Sequence, residues 1–472
     1  MNRRRFLFFL ITLTLFFTLP VMAAEEAHSV NDHCDMRIYG ERADTLLDGN
    51  LRSHSKLHYG TEITLSSSEL IGSLYLEFSQ HPGEWTLLYG DKTLSCGGSG
   101  FLHEYVTGLN TYSLTLRFHD EGILANVYAL SPGEKPAWVQ DWQPCHDRAD
   151  VLLLPTHSDD DTIFFGGIIP WCIDKGARVQ VAYLISHNDE PYRRNELLNG
   201  LWTSGLRHYP VLGEYEDKGA EPSLPLALYE RDGIRYEDML LRTVRLYRRF
   251  KPHVVICHDS AGEYGHGAHK LYSKLATEAL ALAGDSSVDP EGVTRRGVWI
   301  PEKLYVHLQT ERSVVIDLDE PLRSFDYQTG YDLAKKSFEC HESQVADFAW
   351  YFWGAPTAAE LRQYSSREYG LFYSSVGDDI SGNSFFDNLT LYDELPSPAE
   401  ETPPPPPEET QVPTAPVAET PTVSAPAENS SRVQEIRQEQ RRLALSISAL
   451  TLLIAVLLLL LTKIKNTGKE GK

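Results

Sequence analysis

The sequence predicts an α/β domain built on a parallel sheet, preceded by a smaller β-sandwich, and three observations carry that expectation. Strand-like apolar runs at 149–154, 179–185 and 253–258 alternate with helical stretches at 163–175, 192–205 and 236–250, the rhythm of a parallel sheet covered by helices. Earlier in the chain, runs such as Leu74-Tyr-Leu-Glu-Phe78 and Tyr112-Ser-Leu-Thr-Leu-Arg-Phe118 alternate apolar and polar residues between Gly- and Pro-rich turns. Period-two alternation of that kind makes the strands of a sandwich. Finally, the chemistry-bearing residues gather where two of the later apolar runs end, which is where open α/β sheets place their sites. The expected boundaries are 32–146 for the sandwich and 147–392 for the α/β domain.

At 472 residues the chain is too long for one core. It carries 43 Lys and Arg against 66 Asp and Glu, a net charge of −23, which excludes a nucleic-acid partner because phosphate binding needs a basic face. Residues 1–24 read as a signal peptide: Arg3-Arg4-Arg5, an apolar core at 6–19, then Ala23-Ala24. The rival reading is an uncleaved anchor. Residues 443–462 form an apolar run whose ~20 residues would make a helix of roughly 30 Å, enough to span a bilayer. Between fold and run, 393–431 is rich in Pro, Glu, Thr and Ala and reads as a disordered stalk reaching up to ~100 Å. The expectation is a single-pass protein of the cell membrane, held by its C-terminal helix, with the catalytic domain extracytoplasmic and 463–472 a cytoplasmic tail. Six cysteines in an exported chain allow many disulfide pairings, while Cys172 and Cys257 read as buried thiols.

The candidate site lies in two motifs. Pro155-Thr-His-Ser-Asp-Asp-Asp161 ends the first apolar run and is followed by Gly166-Gly167; Glu263-Tyr-Gly-His-Gly-Ala-His269 follows the run 254–257. Together they offer nitrogen and carboxylate ligands for one divalent metal. Hydrolysis of an amide needs a metal, a base and a proton donor; adjacent carboxylates on a turn point apart, so one of Asp159 and Asp160 can ligate while the other takes the proton of water.

These motifs resemble those of the LmbE-like (PIG-L) zinc-dependent de-N-acetylases, over a stretch from Asp147 to near Tyr392. The family pattern His-Pro-Asp-Asp-Glu is similar to His157-Ser-Asp-Asp-Asp161, and Tyr-Gly-His-x-x-His to Tyr264-Gly-His-Gly-Ala-His269. The resemblance implies a Rossmann-like domain that binds zinc through His157, Asp160 and His269; iron or another divalent metal suits the same ligands. It further implies Asp159 as general base, His266 and Tyr264 as stabilisers of the intermediate, and an N-acetylated amino sugar or surface glycan as substrate. Arg193-Arg-Asn-Glu196 and His341-Glu-Ser-Gln344 also resemble the family, which places Arg193 and His341 at the substrate. Ser158 and Asp161 depart from the pattern, and so does Ala268, which stands where some members carry an aspartate beside the first histidine of the pair.

The early domain resembles a discoidin-type, galactose-binding jelly roll through Leu47-Asp-Gly-Asn50. Trp85, Tyr59 and Tyr105 suit either sugar stacking or core packing. Arg193 and Glu196 suit an intrahelical pair as well as a pocket, and His258-Asp259 a cap as well as the site. His187, His208 and His307 read as ordinary, and no G-x-S-x-G marks a serine nucleophile. The expected activity is hydrolysis of the N-acetyl group of an amino sugar or glycan. Its competitors are a non-catalytic surface carbohydrate-binding protein with a degenerate deacetylase domain, and a metal-dependent hydrolase of another acyl group.

Overall fold

The computed structural model describes residues 25–221, 224–352 and 354–393. Its first part is antiparallel. Strands β1 (Cys34–Ile38), β2 (Glu41–Arg42), β3 (Ser55–Leu57), β4 (Glu62–Gln80), β5 (Trp85–Tyr89), β6 (Lys92–Cys96), β7 (His103–Phe118) and β8 (Gly122–Leu130) join in one hydrogen-bonded sheet. The first half of β4 pairs with β1 and its second half with β8, while β7 runs beside both. The register of β4 on β7 breaks between Ser66 and Ile71. Before the break, β4 side chains alternate in exposure; from 71 to 79 they are buried on both faces, so a second layer covers the sheet there. The expected discoidin-like two-sheet sandwich is not established by this pattern. Trp85 is not a surface aromatic: it is fully buried and its indole N–H donates to Glu104 at 2.8 Å.

The second part is a six-stranded sheet. Strands β9 (Val151–Leu154), β10 (Val179–Val181), β11 (Val254–Cys257) and β12 (Lys303–His307) are parallel, in the order β10-β9-β11-β12. β14 (Glu368–Ser374) continues the sheet antiparallel to β12, with β13 (Ser313–Val315) at its edge. The four parallel strands are buried throughout; β9 and β11 read accordingly as unbroken apolar runs, whereas β10 buries Gln180 and β12 buries Lys303 and His307. Nine described helices accompany this sheet: α1 (Asp160–Ile163), α2 (Ile168–Asp174), α3 (Tyr192–Thr203), α4 (Leu224–Arg231), α5 (Tyr236–Phe250), α6 (Gly267–Ala283), α7 (Pro290–Arg296), α8 (Gly330–Phe338) and α9 (Val345–Phe352). The single helix expected at 163–175 is broken into α1 and α2 at Gly166-Gly167. Gly167 has φ 89°, and a Cβ there would lie 2.8 Å from the Gly330 backbone; only glycine admits the start of α8 so close. From β9 the chain crosses to β10 on one side and later to β11 on the other. The carboxyl ends of β9 and β11 therefore flank a topological switch point, the usual ligand position in such sheets.

Helix α3 forms part of the cover over β4. The Asn195 amide donates to Ser79 Oγ at 3.1 Å and its carbonyl oxygen faces His103 Nε2 at 3.2 Å, while Trp202 Nε1 donates to the Ala137 carbonyl. One apolar cluster runs through both parts, including Leu76, Leu102, Trp142, Trp202 and Tyr209.

Glu77 of β4 is buried with hydrogen bonds from Asn126 at 2.9 Å and Tyr128 at 3.5 Å, and burial pushes its carboxyl up to about 7. A carboxyl with a folded pKa above its unfolded value contributes stability that is present below about pH 4 and is lost as pH rises through about 7. Glu77→Gln should abolish this loss. The stability difference between variant and parent, measured by denaturant unfolding, should shift in the variant's favour by on the order of 3 kcal/mol across that window.

The expected membrane placement is corrected. Among the described residues no helix is long and apolar enough to cross a membrane, and the segments on which that expectation rested, 1–24, the stalk at 393–431 beyond residue 393, 443–462 and the tail 463–472, lie outside the described residues. All six cysteines are free thiols, with Cys172 and Cys257 buried as expected.

Candidate metal centre

β9 delivers its loop directly into α1. The backbone N–H groups of Thr156 and His157 donate to Asp160 Oδ2 at 3.1 and 2.6 Å, folding the loop back on itself. Asp160 Oδ1 is left facing His269 Nε2 at 3.4 Å. His157 Nδ1 lies 3.2 Å from that same His269 nitrogen and 3.3 Å from Asp160 Oδ2. Ligand atoms about 2.0–2.1 Å from a tetrahedral zinc stand about 3.3–3.4 Å from one another. The spacing of His157 Nδ1 and His269 Nε2 is of that size, and Asp160 presents Oδ1 to His269 and Oδ2 to His157 at similar distances.

Two sets of potential ligand atoms lie within 4.8 Å of one another: His157, His266 and His269, and Asp160, His258 and His269. Hydrogen bonding separates them. His258 Nε2 accepts the Thr156 N–H at 3.0 Å, so its lone pair is already used. His266, the N-cap of α6, accepts the Ala268 N–H on Nδ1 at 3.3 Å, which leaves Nε2 as the N–H of the neutral ring. That leaves His157, Asp160 and His269, a triad neither set contains whole, as residues that could hold a metal, with His269 common to both sets.

Behind the ligands stands Glu263, fully buried, which the sequence reading quoted without a role. Its carboxylate faces the Nδ1 atoms of His258 at 2.8 Å, His269 at 2.8 Å and His307 at 2.6 Å, and it accepts the Asp259 N–H at 3.1 Å. Burial alone would raise this carboxyl; the imidazoles, His258 foremost, hold it well below the usual range. A carboxylate accepting Nδ1–H fixes the ring tautomer and turns Nε2 toward the metal position. Asp217 lies 3.6 Å from His157 Nε2, within ion-pair range but beyond a hydrogen bond. Asp217 comes from a loop far off in sequence, and no motif marked it. Burial works to raise Asp160, yet His269, His157 and His258 keep it ionised.

Asp159 points away from the ligand set. Its Oδ1 accepts from Arg193 Nη2 at 3.1 Å, and burial raises its carboxyl while Arg193 partly offsets that rise. Arg193 is thus engaged with Asp159, and the intrahelical partner Glu196 accepts instead from Ser343 N and Oγ at 2.9 and 2.6 Å. Burial, with Asp159 and Asp160 nearby, pushes the Asp161 carboxyl well above the usual range, partly offset by the Tyr183 hydroxyl, which donates to its Oδ1 at 2.8 Å. His187, at φ 49°, accepts the Ser158 N–H at 3.2 Å and so braces the loop. Tyr264 is 44% exposed, at φ 44°, with its ring 5.4 Å from His266. His341 is buried beside α3 with neither ring nitrogen hydrogen-bonded, and burial lowers its pKa to about 3. His208 lies apart, stacked on His146 at 3.5 Å.

An α/β sheet with imidazole and carboxylate ligands at its switch point defines a class, the metal-centred hydrolase-like α/β domains. Within that class the particular domain is evident: the sequence profile of the family described as GlcNAc-PI de-N-acetylase, PIG-L, matches residues 152–280, and this stretch is a PIG-L (LmbE-like) deacetylase domain. Among curated proteins the chain is similar to a 1D-myo-inositol 2-acetamido-2-deoxy-alpha-D-glucopyranoside deacetylase of Streptomyces scabiei, 27% identical over 37% of this chain and 59% of that protein. It is also similar to one of Rhodococcus erythropolis, 29% identical over 34% and 62%. The chain thus spans about three fifths of the length of these curated relatives. Among solved structures, N,N'-diacetylchitobiose deacetylase from Pyrococcus horikoshii aligns over 45% of this chain and 77% of that one, at 21% identity and a TM-score of 0.33, too low to carry an argument.

Proposed function

We propose that this protein is a metal-dependent amide hydrolase that removes the N-acetyl group of an amino sugar or glycan. The observation that carries this reading is the convergence of His157 Nδ1, His269 Nε2 and Asp160 at 3.2–3.4 Å beside a second buried carboxylate, Asp159, that is not needed as a ligand. The acetamido-sugar names of the curated relatives support the substrate class.

In this reading His157, Asp160 and His269 hold the metal, zinc or another divalent ion such as iron. A metal so held supplies a Lewis acid and lowers the pKa of water toward about 7. Asp159, oriented by Arg193, takes the proton of the attacking water. His266 needs no added proton to serve, because Ala268 N–H occupies Nδ1 and leaves Nε2–H to donate to the developing oxyanion, with the Tyr264 hydroxyl alongside. Asp159, which has taken the proton of water, then returns it to the departing amine. Arg193 acts by positioning Asp159, and His341 offers its unpaired nitrogens to the substrate.

His266→Ala should keep its metal and lose on the order of 10²–10³-fold in turnover, the cost of one oxyanion donor. Acetate release from a panel of N-acetylated amino sugars, with other acyl amides and esters alongside, tests the reading. Release of acetate from N-acetyl sugars is expected; activity confined to other acyl groups would overturn it.

A further inference from the structure

A cavity of about 340 Å³ is lined by six arginines from α5 and α7: Arg242, Arg245, Arg248, Arg249, Arg295 and Arg296. None of its lining residues belongs to the metal centre. Helix α6 runs from Gly267, beside the metal ligands, to Ala283, whose carbonyl accepts from Arg248 Nε at 3.1 Å. Its 17 residues, at 1.5 Å each, separate the two ends by about 25 Å. Six guanidinium groups around one cavity stand out in a chain of net charge −23.

Following each carboxylate to its partner shows which of these charges are left over. Glu214 accepts from Arg242 Nε at 3.0 Å, Asp289 holds Arg245 with both oxygens at 2.7 and 2.9 Å, and Glu291 accepts from Arg295 at 2.6 Å. Asp238, also in the wall, is engaged by Arg235 at 2.6 and 3.0 Å. Arg248 is buried, and its donors go to the backbone carbonyls of Leu282, Ala283, Asp285 and Val288 at 2.7–3.1 Å. Neutral carbonyls at a helix end satisfy a guanidinium but cancel only part of its charge. Arg249 and Arg296 have no carboxylate partner among the described residues. In the same wall Arg242 Nη1 is buried with no acceptor. Three positive charges are thus uncompensated, those of Arg248, Arg249 and Arg296.

We propose that this cavity is a binding site for a phosphate group, separate from the metal centre and independent of the deacetylase reading. A phosphomonoester carries about −1.5 to −2 charges at pH 7, which offsets most of the uncompensated charge. Guanidinium forks match phosphoryl oxygens in spacing and plane, and Arg249 and Arg296 are the two whose charge no carboxylate claims. The volume lies at the lower end of the roughly 300–1,000 Å³ of small-molecule sites and leaves room beside the phosphate. That room is bounded by Val211, Leu246 and the ring of Tyr215, surfaces suited to the organic part of an ester. The phosphate arrives free or as the ester of a small molecule. Because the chain as a whole is acidic, no general positive field gathers anions, and the binding is local to this cavity.

Calorimetry on the full-length, metal-stripped protein tests this, since no metal then competes for the anion; ionic strength is held fixed with sodium chloride. Inorganic phosphate and glucose 6-phosphate are the probes. At least one should bind at about one per chain with a dissociation constant of about 1 mM or below. Tighter binding of glucose 6-phosphate assigns the site to a phosphate ester, and equal or tighter binding of inorganic phosphate assigns it to the free ion; either result upholds the site. Arg296→Ala, at an exposed side chain, and Arg249→Gln, which keeps a donor, should each weaken binding at least about tenfold. Thermal unfolding of the unliganded variants and their capacity for metal should match the parent. Absence of saturable binding by both probes up to about 10 mM, or binding that both substitutions leave unchanged, would overturn the proposal.

Discussion

Glu263→Ala should unfold more readily by about 3–5 kcal/mol and should bind no metal at stoichiometric loading. The stability cost is that of removing one partner from a buried charged cluster: His258, His269 and His307 would each lose the acceptor for Nδ1 in a site closed to water. The loss of metal has a different cause. Without Glu263 nothing fixes the tautomer of His269, and the Nε2 lone pair is no longer held toward His157 and Asp160. Glu263→Gln keeps the volume and offers one oxygen to three rings, so it should lie between parent and alanine in both measures. Thermal unfolding with metal analysis on the three proteins checks this; an alanine variant that retains full metal and stability would remove Glu263 from the account.

Asp159→Asn should retain about one metal per chain while turnover falls by roughly 10²–10⁴-fold. Its neighbour behaves oppositely. Asp160→Asn removes a charged ligand, and His269→Ala removes an imidazole, so both should lose metal together with activity. The contrast follows from direction: Asp160 turns toward His269 at 3.4 Å, whereas Asp159 turns toward Arg193 at 3.1 Å. Initial rates and metal content of the purified variants decide it. Loss of metal in Asp159→Asn with retention in Asp160→Asn would exchange the two roles.

Much of this was legible in the sequence because the physics behind it is local. The apolar runs at 151–154 and 254–257 could only be strands buried on both faces, and helix α5 runs over Tyr236–Phe250 as its periodicity predicted. The histidine and aspartate motifs, placed at the ends of two neighbouring strands, had to meet once the sheet was parallel. What escaped depends on distant pairing. The lengths of β4 and β7 follow from a sheet that continues through a register break, and alternation over a few residues does not reveal it. Core packing suits Trp85 from its sequence alone, but nothing near it in sequence shows that its N–H reaches Glu104. Glu263 was in plain view within its motif, but a carboxylate after a strand usually marks a turn. Its role appears only when three histidines, one just after β11 and the others from α6 and β12, point at it. His307 had been set aside as ordinary for the same reason.

The account depends most on the metal centre, and the most direct measurement is acetate release as a function of metal added to stripped protein. With an N-acetylated amino sugar as substrate, the rate should rise from near zero in proportion to added zinc and level off at about one equivalent per chain; Asp160→Asn should show no such titration. Acetate release from the stripped protein at the full rate, or a titration unchanged in Asp160→Asn, would contradict it.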